Sequence, residues 1–166
     1  MKLPSHLYLD EQGIDYTTQN FSPDTVKGAI SVANEISFPM RQTVKTLIFE
    51  ADTGERVMVM LGGDQSAISG NLKKAIGSRN IRMAAPEVVK ETTGYVVGSI
   101  PPFGWQPDGF RSFLETSLVN ESLLAVGAGE WGQEIFITPQ NLIKATKAKI
   151  VNLLDKDQPV YQEQNK

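Results

Sequence analysis

Two apolar runs separated by five turn residues constrain this fold more than any other feature. Val44–Glu50 and Arg56–Leu61 are rich in β-branched and large apolar side chains, and Ala51-Asp52-Thr53-Gly54-Glu55 between them is turn chemistry. They predict an antiparallel hairpin. Around it helical and strand signals alternate without a βαβ rhythm. Pro4–Gln12 reads as a first helix stopped by Gly13, and Ile14–Asn20 as extended chain. Ser22-Pro23-Asp24 supplies a cap followed by proline, which predicts a helix carrying Val26, Ala29, Ile30 and Ala33 inward. A further helix holds Ile68, Leu72, Ala75 and Ile76 and stops at Gly77, and another runs from Pro86 to Thr93. From Gly94 to Gly109 four glycines and three prolines exclude a regular element. Phe110–Leu114, Leu123–Val126 and Glu134–Thr138 read as strands, the last two as a hairpin. Pro139–Ala148 reads as the last helix, Ile150–Leu154 as a closing strand, and Asp155–Lys166 as a polar tail expected to fray. The class that follows is α+β: one domain, residues 1–154, with a mixed, strongly curved and partly closed sheet flanked by helices.

Composition removes whole classes of chemistry. The 166 residues include no Cys and one His, so thiol nucleophiles, iron–sulfur clusters and thiolate or two-His metal sites are excluded. A Ser-His-Asp triad would have to recruit His6, which sits on the first helix and reads as a structural imidazole. No apolar run reaches the roughly 18 residues of a membrane span, and the N-terminus lacks a secretory h-region; a cytoplasmic enzyme or binding module is expected. The formal charge of −3 confines any nucleic-acid contact to a local patch. Lys73, Lys74, Arg79 and Arg82 lie in ten residues without an acid, and Lys144, Lys147 and Lys149 form a second group. Either could equally be a solvated helix face.

Gly127-Ala128-Gly129-Glu130-Trp131-Gly132 matches the G-x-G-x-x-G dinucleotide fingerprint by letter. The residues after it alternate as a strand, whereas the fingerprint needs a helix there, so the glycines are assigned to a hairpin loop and no cofactor is expected. Lys45 is more informative. A period of two puts it on the face of Leu47 and Phe49, where an ammonium is costly unless it reaches water or an anion. It snorkels at a strand end, or it stands at a pocket mouth to meet a phosphate or polarise a carbonyl. Gly98-Ser99-Ile100-Pro101-Pro102-Phe103-Gly104 poses a similar choice. The stiff loop with free amides at Ser99, Ile100, Phe103 and Gly104 is a backbone cradle for an acyl group, or a surface loop packed by Ile100, Phe103 and Trp105. The carboxylates, Glu130 and Glu134 included, show no pair placed for acid–base work.

Taken together these segments resemble the YbaK and prolyl-tRNA synthetase-associated family, domains that hydrolyse wrongly charged tRNA. The resemblance rests on Val44-Lys45-Thr46-Leu47, Asn71-Leu72-Lys73-Lys74, Glu87-Val88-Val89 before Thr93-Gly94-Tyr95, the Gly98–Gly104 loop, Ala125-Val126-Gly127-Ala128-Gly129 and Thr138-Pro139, in order from about Leu7 to Leu153. It implies that Lys45 contacts the substrate end and that Gly98, Ser99, Ile100 and Pro102 position the aminoacyl group through the backbone. Thr46, Gly127 and Gly129 would bind substrate beside them, and Lys73, Lys74 and Arg79, with Arg82, would contact phosphates. The implied reaction is hydrolysis of the ester of a mischarged tRNA, of the tRNA(Pro) type bearing a small wrong residue such as Cys or Ala. The implied partners are the tRNA 3′ end and an aminoacyl-tRNA synthetase, with no metal, cofactor, membrane or DNA. A non-catalytic module binding a tRNA end or a nucleotide, and a hydrolase of unrelated small esters, remain as alternatives.

Overall fold

The computed structural model describes residues 2–161. Strand β2 (Val44–Ala51) pairs antiparallel with β3 (Arg56–Gly62), as the hairpin pattern predicts, with Lys45 opposite Leu61 and Thr46 opposite Met60. Strand β4 (Ile81–Met83), too short to announce itself in the sequence, pairs with the far end of β2. Strands β5 (Ser112–Glu115) and β8 (Lys149–Val151) add in parallel beyond β3, so this sheet is mixed and runs β4-β2-β3-β5-β8. A second, antiparallel sheet holds β1 (Thr17–Asn20), β7 (Gln133–Ile137) and β6 (Leu124–Gly127) in that order. The single, partly closed sheet expected from sequence is therefore corrected to two sheets. One isolated parallel bridge, Thr43 to Ala125, links them. β4 pairs only with Phe49–Ala51, so it leaves Val44–Leu47 uncovered on the outer edge of β2.

Period-two alternation sends side chains of the five-stranded sheet into two cores. Val44, Ile48, Met58, Met60 and Leu114 pack on one face with the second sheet and with Leu142 and Ala145 of α5 (Pro139–Thr146). Phe49, Val57, Val59, Leu61 and Phe113 pack on the other face against Leu72, Ala75 and Ile76 of α3 (Ser69–Ile76). Helices α1 (Pro4–Gln12), α3 and α4 (Pro86–Thr93) stop at Gly13, Gly77 and Gly94, where the sequence places their ends. No helix among the described residues is long and apolar enough to cross a membrane.

One helix is shorter than its sequence predicts. α2 spans Ala29–Glu35, and Ser22–Lys27 are turn and loop. Gly28, at φ 129° and ψ 148°, lies outside the helical region and resets the chain direction. Val26 is consequently 75% exposed rather than inward. Of the tail, residues 155–161 fold back: the Asn152 amide donates to the Val160 carbonyl at 2.7 Å, Val160 is buried, and Tyr161 bridges to Val151. The remaining tail, 162–166, lies outside the described residues.

Candidate active site

A cavity of about 240 Å³ opens along the unpaired edge of β2. It is lined by Thr43–Leu47, by Val97, Gly98 and Ile100, by Gly28, Ala29 and Val32, and by Gly127 and Glu134. The Ile48 carbonyl accepts from the Ala84 amide at 2.9 Å, which fixes the polarity of the strand. Main-chain groups of alternate residues point to the same side, so those of Thr46 and Val44 point away from β3, toward the edge that β4 leaves open.

Lys45 leaves β2 on the face shared with Leu47 and Phe49, as the alternation predicts. It is half-buried, lines the cavity, and makes no hydrogen bond or ion pair among the described residues. Its charge reaches the Asp64 carboxyl, which is held below the usual carboxylate range mainly by Arg41, hydrogen-bonded at 2.7 Å, with Lys45 a lesser cause. Thr46 also lines the cavity, and its Oγ1 is buried without a partner. Glu134 on β7 is 5% exposed, lines the cavity and makes no hydrogen bond or ion pair among the described residues. Burial alone pushes its carboxyl up to about 8.

The structure brings Lys45, Thr46, Gly98, Ile100 and Gly127 to this one cavity and leaves the other singled-out residues elsewhere. Ser99 stands behind the wall. It is buried, and both its amide and its hydroxyl donate to the Val96 carbonyl, at 3.2 and 3.1 Å, so its amide is not free for a ligand. The Ile100 amide meets no acceptor among the described residues. Pro102 is buried, and its carbonyl accepts from Gln106 Nε2 at 2.7 Å while Trp105 Nε1 donates to the Pro101 carbonyl at 2.6 Å. These bonds stiffen the loop from behind. Gly127 has no side chain because the loop lies on it: a Cβ there would stand 2.9 Å from the Ile100 carbonyl oxygen. Gly129 lies against the Tyr95 ring, outside the cavity lining. Lys73, Lys74 and Arg79 line a separate shallow hollow around the end of α3, sharing no residue with the cavity.

The G-x-G-x-x-G match forms the turn between β6 and β7, not a helix N-terminus. His6 is structural as its position suggests: it is buried, its Nδ1 accepts from the Leu3 amide at 2.9 Å, and its ring stacks on Tyr16. Burial lowers its pKa, the reverse of what a cationic role needs. The sequence did not mark one residue of the cavity and one that supports its surroundings. Glu134 sits where β7 alternation puts a polar residue beside the hairpin, and nothing local marks that position as covered. Trp131, in the hairpin loop where relatives of this family can place substrate-facing groups, lies outside the cavity lining and anchors the segment before α2: its Nε1 donates to the Thr25 carbonyl at 3.1 Å, Phe21 meets it edge-on, and the Lys27 ammonium lies 4.4 Å from its ring centroid. An aromatic inside a glycine-rich turn was the available signal.

Comparison with known proteins supplies the context. The model of the aminoacyl-tRNA editing domain family matches residues 6–145. The "Putative Cys-tRNA(Pro)/Cys-tRNA(Cys) deacylase EbsC" of Enterococcus faecalis is 26% identical over 129 residues, 78% of this chain and 78% of that protein. A proline–tRNA ligase of Pelobacter propionicus is 31% identical over 113 residues, 68% of this chain but 19% of the ligase, so the chain spans about a fifth of that enzyme. The fold matches the crystal structure of "a putative trans-editing enzyme for prolyl tRNA synthetase" with a TM-score of 0.82 at 22% identity, over 93% of this chain and 99% of that one. A match across most of the chain, on a fold that closes a cavity around the strand lysine and the glycine-proline loop, places this protein in the aminoacyl-tRNA editing domain family.

Proposed function

We propose that this protein hydrolyses the ester bond of mischarged aminoacyl-tRNA, acting in trans in the cytoplasm on a tRNA of the tRNA(Pro) type that carries a small wrong amino acid such as Cys or Ala. The observation that carries this reading is that Lys45, Gly98 and Ile100 line one cavity. An aminoacyl ester is already activated, so water can cut it when the carbonyl is held and the tetrahedral oxyanion meets preorganised donors. The Ile100 amide and the Lys45 ammonium are two donors that the lining offers. Each such donor is worth on the order of 10²–10³ in rate. Ser99 and Pro102 act by holding the loop, and Gly127 by letting it approach. Thr46 contributes an unpartnered hydroxyl. Neither a metal nor a covalent nucleophile enters this route.

The apolar walls formed by Ala29, Val32, Val97 and Ile100 suit a short aliphatic or thiol side chain. Discrimination among such residues is worth only ~1–3 kcal/mol per methylene or hydroxyl, so it comes from the shape of this cavity and not from any single contact. Lys73, Lys74 and Arg79, outside the cavity, serve the phosphates of the tRNA, and a synthetase is the natural source of the mischarged substrate.

The test is a panel of tRNAs charged with Ala, Cys, Ser and Pro, followed for loss of the ester. Faster hydrolysis of one or more mischarged species than in buffer supports the reading. Tight binding without acceleration would instead establish the non-catalytic tRNA-end module, and cleavage of free amino-acid esters with indifference to tRNA would establish a small-ester hydrolase.

A further inference from the structure

Glu134 is the least explained group in the cavity. An acidic side chain buried to this degree is nearly always paired, since stripping water from a carboxyl without giving it a partner is costly. Here no partner exists among the described residues, and the side chain lines the cavity. Among the residues that line it, Lys45 and Glu134 are the ionisable ones. The cavity therefore carries one cationic and one acidic group, with Thr43 and Thr46 the other polar side chains on walls of apolar residues and glycine. The proposed substrate also has two polar ends. The ester carbonyl and its ribose-phosphate side seek donors and positive charge, while the α-ammonium seeks an acceptor. Lys45 repels an ammonium, which leaves Glu134 as the complementary group.

Resting on the deacylase reading above, we propose that Glu134 accepts the α-ammonium of the esterified amino acid, with Thr46 Oγ1, an unpartnered polar atom of the same lining, as a further polar contact. The cavity thereby selects free-amine aminoacyl ends and rejects N-acylated ones such as peptidyl ends. Recognition of the amine, rather than of the side chain, is then the common requirement for every residue the cavity admits.

The elements around Glu134 supply little other charge. β6 (Leu124–Gly127) has no ionisable residue and sets Gly127 opposite it; β1 sets Gln19 opposite it on the other side. β2 brings Lys45, the loop Val97–Ile100 brings none, α2 carries only Glu35, exposed at its far end, and Lys27, just before Gly28, lies along Gly98 with its ammonium over the Trp131 ring. Burial is accordingly the sole cause of the raised carboxyl pKa of about 8. Below that pH the empty site holds a proton, and pairing with an ammonium must expel it.

The experiment uses non-hydrolysable adenosine analogues bearing 3′-linked alanyl amide, its N-acetyl twin and the des-amino propionyl twin. Binding to the full chain is measured calorimetrically at about pH 6.5, where an α-amine titrating near 8 is charged, in buffers of different ionisation enthalpy. The wild type is expected to prefer the alanyl analogue by about tenfold or more over both twins, and to release close to one proton on binding it alone. Glu134→Gln is expected to bind all three within about twofold and release none, and Glu134→Asp to keep part of both signals. Equal affinity of the wild type for amine and N-acetyl analogues, no proton release, or no binding of the alanyl analogue at millimolar concentration overturns the proposal. These wild-type outcomes hold even where a variant fails to fold. An amine preference without hydrolysis of any mischarged tRNA would sink the deacylase reading and leave this one standing; hydrolysis indifferent to N-acetylation would do the reverse.

Discussion

An unpaired buried carboxyl leaves a signature in stability as well as in binding. Unfolded, Glu134 titrates near its ordinary 4.5; folded, it titrates at about 8. Between these values the folded state keeps a proton that the unfolded state has lost, so stability is full below about 4.5 and falls as pH rises toward about 8. At about 1.4 kcal/mol per unit the total reaches a few kcal/mol. Glu134→Gln, which cannot ionise, is expected to melt within a degree or two of wild type at pH 5 and roughly 5–10 °C above it at pH 8.5. Thermal melts across this range check it, and parallel profiles for the two proteins would contradict the burial argument. At Lys45 the expectation is catalytic. Lys45→Ala should lower deacylation on the order of 10²–10³-fold while the circular dichroism spectrum and melting temperature stay as in wild type, because the ammonium makes no ion pair that folding needs. Equal single-turnover rates would remove it from the mechanism.

At the scale of elements, the cavity exists because two backbones approach more closely than side chains allow. The end of β6 and the Ser99–Ile100 peptide meet at Gly127, where an added Cβ would lie 2.9 Å from one backbone carbonyl oxygen and 3.2 Å from another. Backbone cannot yield as a flexible side chain does. Gly127→Ala should therefore displace the loop, costing about 1–3 kcal/mol in urea unfolding and tenfold or more in deacylation. Unchanged activity would mean that the loop position is not critical. This contact was only half legible beforehand. The glycines of the turn were visible as loop residues, but the partner that requires one of them lies 27 positions upstream at Ile100. The same holds for the start of α2: Ser22-Pro23 has the local grammar of a helix start, and it is Gly28, with the Trp131 anchor on Thr25, that postpones the helix to Ala29.

For the whole molecule, charge and cavity are spatially divided. With a net charge of −3, attraction to tRNA depends on local clusters, and Lys73, Lys74 and Arg79 gather around the end of α3 rather than in the cavity. Replacing all three with Glu should raise KM for charged tRNA and flatten its salt dependence by up to about two to three units of slope, since each phosphate contact contributes roughly 0.7–0.9. Hydrolysis of a 3′-aminoacyl adenosine, too short to reach that hollow, should not change. A loss of equal size on both substrates would place these residues in the cavity's own chemistry instead.

Most elements were determined by the sequence alone, because their causes are local: glycines just past α1, α3 and α4, prolines at the first position of α4 and α5, and period-two apolarity in β2 and β3. Lys45 stood out for the same reason, as a cation on an apolar strand face. What only the tertiary structure decided is who faces whom. The division of the strands between two sheets is a matter of long-range pairing, and Glu134 is buried at a cavity whose lining includes residues of α2 and of the Gly98 loop, more than 30 residues away, on a strand whose own pattern reads as half-exposed. Local preferences set each segment's shape, but burial is a property of the neighbours, and neighbours distant in sequence meet only once the chain has folded.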